Sequence, residues 1–164
     1  NAAAGVDGVT WREYEQDLEV RIADLHGRIH RGAFRAKPSR RVYIDKADGS
    51  RRPLGIPSLE DKIVQKGIAK ILEAIYEQDF YDFSYGYRRG RRPHDALHEL
   101  REQCLRSNTK WIIDADVSGF FDTIDRRHLR DFLRQRVNDG GILRLIGKWL
   151  NGPVRNIVSA SDAS

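Results

Sequence analysis

Apolar residues recur at steps of three and four in several stretches of the chain, the period of a helix with one face turned to a core. Trp11, Tyr14, Leu18, Ile22, Leu25 and Ile29 predict one amphipathic helix, opened by Thr10 and Glu13 as a capping box. Ser58 with Asp61 predicts the cap of a second, whose Val64, Ile68, Ile71, Leu72, Ile75 and Tyr76 form a stripe ending near Phe80. Pro93 suits the first turn of a third, carrying Leu97, Leu100 and Cys104. Asp125 is placed to cap a helix holding Leu129, Phe132, Leu133 and Val137, and Gly140-Gly141 separates it from a short helix with Ile142, Leu145, Ile146, Trp149 and Leu150.

Two stretches break this period. Arg41-Val42-Tyr43-Ile44 and Arg51 to Ile56 read as extended segments around Lys46-Ala47-Asp48-Gly49, where Asp-Gly favours a tight reversal, so a basic β-hairpin is expected. From Trp111 to Asp125 the chain reads as a buried strand and the bend after it. Alternation sets Ile112, Asp114 and Asp116 on one face and Trp111, Ile113, Ala115 and Val117 on the other. A carboxylate on a mostly apolar strand is costly unless a cation compensates it, so Asp116 is a candidate metal ligand. The competing reading puts Asp116 in the turn, with Asp122 and Asp125 as caps.

Composition adds that the chain folds: 40% hydrophobic and 32% charged residues over 164 positions suffice for one domain with a core and an ionic surface. The formal charge is +5, concentrated between Arg28 and Arg52 and again at Arg88, Arg89, Arg91 and Arg92. Such patches attract polyanions, nucleic acid foremost, although a solvated charged surface gives the same count. One cysteine, Cys104, excludes an internal disulfide, and no apolar run reaches the roughly 20 residues of a membrane span. A cytoplasmic protein is therefore expected, with a nucleoid-associated or organellar one as variants. Without any Met, and with neither basic leader nor apolar h-region after Asn1, the sequence reads as a fragment. His94, His98 and Cys104 lack a zinc-binding spacing, and no nucleotide-cradling glycine motif occurs.

Taken in order, Arg41-Val42-Tyr43-Ile44, Arg52-Pro53-Leu54-Gly55-Ile56-Pro57, Ser84-Tyr85-Gly86-Tyr87-Arg88 and Asp114-Ala115-Asp116-Val117-Ser118-Gly119-Phe120-Phe121-Asp122 resemble the reverse transcriptases encoded by group II introns. Gly5-Val6-Asp7-Gly8-Val9-Thr10 looks like the family's N-terminal segment, and the likeness runs from Gly5 to Leu150. The resemblance implies an α+β fold: the fingers of a right-hand polymerase over residues 1–110, helix-rich with a basic antiparallel hairpin, and an incomplete palm over 111–164. It implies Asp116 as catalytic metal ligand with the carbonyl of Val117 beside it, in a two-Mg²⁺ site. Lys46 and Arg52 match the residues that grip the phosphates of the incoming dNTP. Phe121 matches the aromatic gate that stacks under the sugar and rejects a 2′-hydroxyl. Arg40, Arg41, Arg88, Arg91 and Arg92 are the implied contacts to the nucleic-acid backbone.

Asp45, Arg89 and Arg126 depart from the family's usual Pro, Pro and His. A Tyr-Ala-Asp-Asp hairpin, source of the second aspartate pair, does not occur before Ser164. One carboxylate facing two cations is too few, so the fragment alone is expected to be inactive. The implied function is RNA-directed DNA polymerisation by a group II intron maturase, with template or intron RNA, DNA primer and dNTPs as partners, and a homodimer as one open assembly. Intron RNA binding for splicing and mobility goes with it. The alternatives are a non-catalytic RNA-binding fingers module and a reverse-transcriptase-like phage-defence or CRISPR-associated protein.

Overall fold

The computed structural model describes residues 3–47 and 49–155. The chain divides into two compact units, one formed by the residues up to Ile68 together with those from Leu133 onward, the other by Ala69–Phe132.

In the first unit, the expected N-terminal helix is two helices, α1 (Trp11–Glu15) and α2 (Leu18–His30). Thr10 opens α1 as predicted: its hydroxyl accepts from the Glu13 amide at 3.4 Å while the Glu13 carboxylate accepts from the Thr10 amide at 2.8 Å. The break falls at Asp17, whose backbone leaves the helical region at φ −123° and ψ 38°. The Asp17 side chain makes no cap hydrogen bond there and lies instead 3.9 Å from Arg21, one turn into α2. The break rotates the apolar stripe, so Tyr14 and Leu25 are buried while Trp11 and Ile22 remain exposed.

The basic hairpin forms as expected, from β1 (Ser39–Asp45) and β2 (Arg51–Ile56). The Lys46 amide donates to the Ser50 carbonyl at 2.8 Å, and Gly49 takes the left-handed φ of 78° that the reversal demands. Asp48, the other half of the predicted Asp-Gly turn, lies outside the described residues. A short third strand, β3 (Val154–Arg155), runs parallel to β1, with Ser39 opposite Val154 and Arg40 opposite Arg155. Nothing in the apolar pattern announced it.

Helix α3 (Leu59–Tyr76) starts where Ser58 predicts, the Ser58 hydroxyl accepting from the Asp61 amide at 3.2 Å. Leu25, Phe34 and Val64 form the core, with Ile29, Ile63, Ile68, Leu145 and Trp149 packed against it. Each such side chain stabilises the fold by about 1.5–3 kcal/mol when fully buried. Leu145 and Trp149 come from α7 (Gly140–Leu150), whose first turn contains the glycine pair expected to separate it from its predecessor. Asp139 makes this workable by accepting from the Ile142 amide at 2.8 Å.

The second unit holds the rest of α3, α4 (Pro93–Arg106), α5 (Phe120–Thr123) and most of α6 (Arg126–Arg136). Asp125 caps α6 as predicted, accepting from the Arg127 and His128 amides at 2.6 and 3.1 Å. Those amides, His128 first, hold its carboxyl below the usual range. Leu97 and Leu100 of α4 are exposed.

Candidate functional site

The hairpin register decides what its cations can do together. Arg40 pairs with Ile56, Val42 with Leu54 and Ile44 with Arg52, so these six residues share one face. Lys46 continues the alternation one step past the strand, so Lys46 and Arg52 lie at the same end of that face. Arg41, Tyr43 and Asp45 occupy the opposite face, where Arg51 pairs with Asp45 at 3.2 Å. Arg40 is partly committed within the fold, its Nε donating to the Ala4 carbonyl at 3.1 Å.

A second basic group belongs to the loop between α3 and α4. Its centre is Arg88, whose side chain is only 5% exposed. One Arg88 nitrogen lies 2.6 Å from Glu77, and Nη1 donates to the carbonyls of Tyr81 and Ser84, each at 2.8 Å. The guanidinium also sits over the Phe80 ring at 5.0 Å. This hydrogen bonding holds the Glu77 carboxyl below, and the Arg88 guanidinium above, their ordinary pKa values. Arg88 is therefore the post around which the loop is built. The loop's outward cations are Arg89, Arg91 and Arg92. Arg91 lies over the Tyr85 ring at 5.4 Å and 3.8 Å from Asp82. A surface cavity of about 430 Å³ opens beside Arg88 and Arg89, lined also by Lys70, Glu73, Phe80 and Tyr87.

The segment carrying Asp116 corrects an expectation. Residues 110–117 form no strand, and Trp111 and Ile113 are 89% and 92% exposed. A strand exists only through hydrogen bonds to a neighbour, and no described residue pairs with this one. Asp116 and Val117 are consequently exposed, not buried. Gly119, at φ 61°, turns the chain into α5, and the Asp122 and Thr123 amides donate to its carbonyl at 2.9 and 3.0 Å. That turn presents Phe120 and Phe121 as an edge-to-face pair 5.2 Å apart. Phe121 meets a second ring edge-on, that of Tyr87, at 6.4 Å. Among the described residues no group of three or more His, Cys, Asp or Glu side chains comes together. Asp116 by itself does not fit a two-metal site.

Thus the structure gathers Lys46, Arg52, Arg40 and Arg41 on the hairpin of one unit, and Arg88, Arg91, Arg92, Asp116, Val117 and Phe121 in the other. Sequence reasoning passed over Tyr87 and Glu77, which bear on Phe121 and Arg88. Neither carries a local signal, because each acts through a residue distant in the chain. It also took Asp61 for a cap alone. Asp61 is 1% exposed and accepts from the Ser58 hydroxyl at 2.7 Å, the Lys37 amide at 3.0 Å and Trp149 Nε1 at 2.8 Å.

The profile of the reverse transcriptase (RNA-dependent DNA polymerase) family matches residues 44–158. Protein YkfC of Escherichia coli is 38% identical over 149 residues, 89% of this chain and 39% of that protein. The group II intron-encoded protein LtrA of Lactococcus lactis is 32% identical over 151 residues, 92% of this chain and 25% of that protein. A 91 kDa protein in the cob intron of Schizosaccharomyces pombe is 40% identical over 118 residues, 72% of this chain and 14% of that protein. The chain thus spans well under half the length of these relatives. No helix of the described residues is long and apolar enough to cross a membrane. The profile match covers both the hairpin end that carries Lys46 and Arg52 and the turn that carries Asp116 and Phe121, and the chain belongs to the reverse transcriptase family, similar within it to the proteins that group II introns encode.

Proposed function

We propose that this chain is the fingers, residues 1–110, and the first part of the palm, from 111 on, of an RNA-directed DNA polymerase that serves as a group II intron maturase. The observation carrying this reading is the family match across residues 44–158, which takes in the basic hairpin with Arg52 on β2 and Lys46 at the start of its turn. In this reading Lys46 and Arg52 hold the triphosphate of the incoming dNTP in line, as phosphoryl transfer requires. Phe121 takes the part of the aromatic gate that excludes a 2′-hydroxyl. Asp116 and the carbonyl of Val117 are this chain's share of the Mg²⁺ ligands, the metal supplying charge stabilisation when bound. Further carboxylates are needed to complete that set, so the chain by itself is inactive. Arg41, Arg91 and Arg92 follow the nucleic-acid backbone, as do Arg40 and Arg88 in so far as their ties to the Ala4 carbonyl and to Glu77 leave them free to, and the same basic surfaces bind intron RNA.

The test is extension of a DNA primer on an RNA template by the protein in its full length, with Mg²⁺ and dNTPs. Asp116→Ala abolishes extension in this reading, and undiminished extension by that variant sinks it. The exposed arginines of the loop between α3 and α4, Arg89 and Arg92, support a second reading, RNA binding without polymerisation. Failure of the full-length protein to extend any primer while it still binds RNA decides for that one.

A further inference from the structure

Tyr87 has no explanation in folding. Its φ of 57° lies in the left-handed region that residues other than glycine seldom adopt, and the residue is 94% exposed, so it gains almost nothing from burial. Its backbone is nonetheless firmly placed, because the next residue is Arg88, anchored to Glu77 and to the carbonyls of Tyr81 and Ser84. What the strained backbone achieves is to hold the Tyr87 ring at the rim of the cavity, edge-on to Phe121 at an interplanar angle of 84°. Phe120 meets Phe121 from its own helical turn at 70°. Phe121 thus has two ring neighbours, Phe120 at 5.2 Å from its own turn and Tyr87 at 6.4 Å from the anchored loop.

We propose that Tyr87 is a positioning residue that fixes the ring of Phe121 and thereby sharpens discrimination between deoxyribonucleotides and ribonucleotides. The inference rests on the proposed gate role of Phe121. Without Tyr87 the Phe121 ring retains the Phe120 contact but can swing away from it, and a gate free to swing admits a 2′-hydroxyl that a fixed ring rejects. The hydroxyl of Tyr87 has no part in this. The ring alone matters, so phenylalanine should serve equally well.

The test is single-nucleotide incorporation by the full-length protein on an RNA template, measuring kcat/KM for each dNTP and its matching rNTP. Tyr87→Gly removes the ring and relieves the positive φ, so it should fold at least as well as the parent, as its thermal midpoint will report. Its dNTP-over-rNTP preference should fall about 2- to 10-fold, the worth of one edge-to-face aromatic pair, while Tyr87→Phe keeps the parental ratio. Combined with Phe121→Ala, Tyr87→Gly should add no further loss of preference, since both act through one ring. An equal drop in dNTP and rNTP incorporation by Tyr87→Gly, with Phe121→Ala still shifting the ratio, overturns the positioning role alone. An unchanged ratio in Phe121→Ala, or no extension by the parent, removes the gate or polymerase reading and this proposal with it.

Discussion

The indole N–H of Trp149 donates to the buried carboxylate of Asp61 across 2.8 Å, tying α7 to the start of α3. The same carboxylate holds the Lys37 amide and the Ser58 hydroxyl, so three donors depend on it. Asp61→Ala strands all three in a desolvated place and should destabilise the first unit by about 2–4 kcal/mol, measured by denaturant unfolding. Trp149→Phe, which removes one donor and keeps an aromatic ring, should cost less, about 1–2 kcal/mol. Equal stability of Asp61→Ala and parent would refute the hub.

Arg88 and Glu77 make the loop sensitive to acid. The Glu77 carboxyl is held below its ordinary value of 4.5 by the Arg88 hydrogen bonds, so the pair contributes stability above about that pH and loses it as pH falls through the lower, folded value. Amide protection factors across residues 80–92, taken against the intrinsic exchange rate at each pH, should therefore fall below pH 4.5 in the parent. Glu77→Gln should exchange fast already at pH 7. Arg88→Lys should behave like it, because an ammonium cannot reproduce the planar fork that bonds Glu77 and two carbonyls together.

Gly5 sits where no side chain fits. A Cβ there would lie 2.5 Å from the Ser58 Cα and 2.7 Å from the Pro57 carbonyl oxygen, both backbone atoms that cannot step aside. Gly5→Ala should push the N-terminal segment off, breaking the Arg40 bond to the Ala4 carbonyl, at a cost of about 1–3 kcal/mol in thermal unfolding. A midpoint equal to the parent's would show that the segment docks differently.

The proposed nucleic-acid contacts are separable by salt. Affinity for RNA should fall linearly on a log-log plot, and Arg91→Ala and Arg92→Ala should each reduce the slope by roughly 0.7–0.9. Lys46→Ala and Arg52→Ala should instead raise KM for dNTP in primer extension by the full-length protein. An unaltered slope and KM would remove these residues from their assigned roles.

How much of this was legible depends on how far apart the interacting residues lie. The capping box at Thr10, the cap at Ser58, the basic hairpin and the Asp125 cap were all readable, since each is closed by residues within a few positions of one another. The break at Asp17 was not, because periodicity follows side chains and misses a single backbone angle. Among site residues, Lys46 and Arg52 share a face because of the strand register, which the turn already implied. Arg88 was legible as a cation, but its burial was not, since Glu77 enters from the end of another helix.

Residue type along the chain was enough for most of the helices, the hairpin and the family, because caps, periods and ordered motifs are local features, whereas the break at Asp17, the turn of α5 and strand β3 left no such mark. Tertiary structure alone decided that Asp61 is the hub of the first unit, that Arg88 is an internal post and that Tyr87 meets Phe121. Each depends on desolvation or ring contact between segments distant in the chain. It also decided the state of Trp111 to Val117, whose apolar alternation reads as a buried strand. Alternation describes how a strand would face, and only a hydrogen-bonded neighbour makes it one.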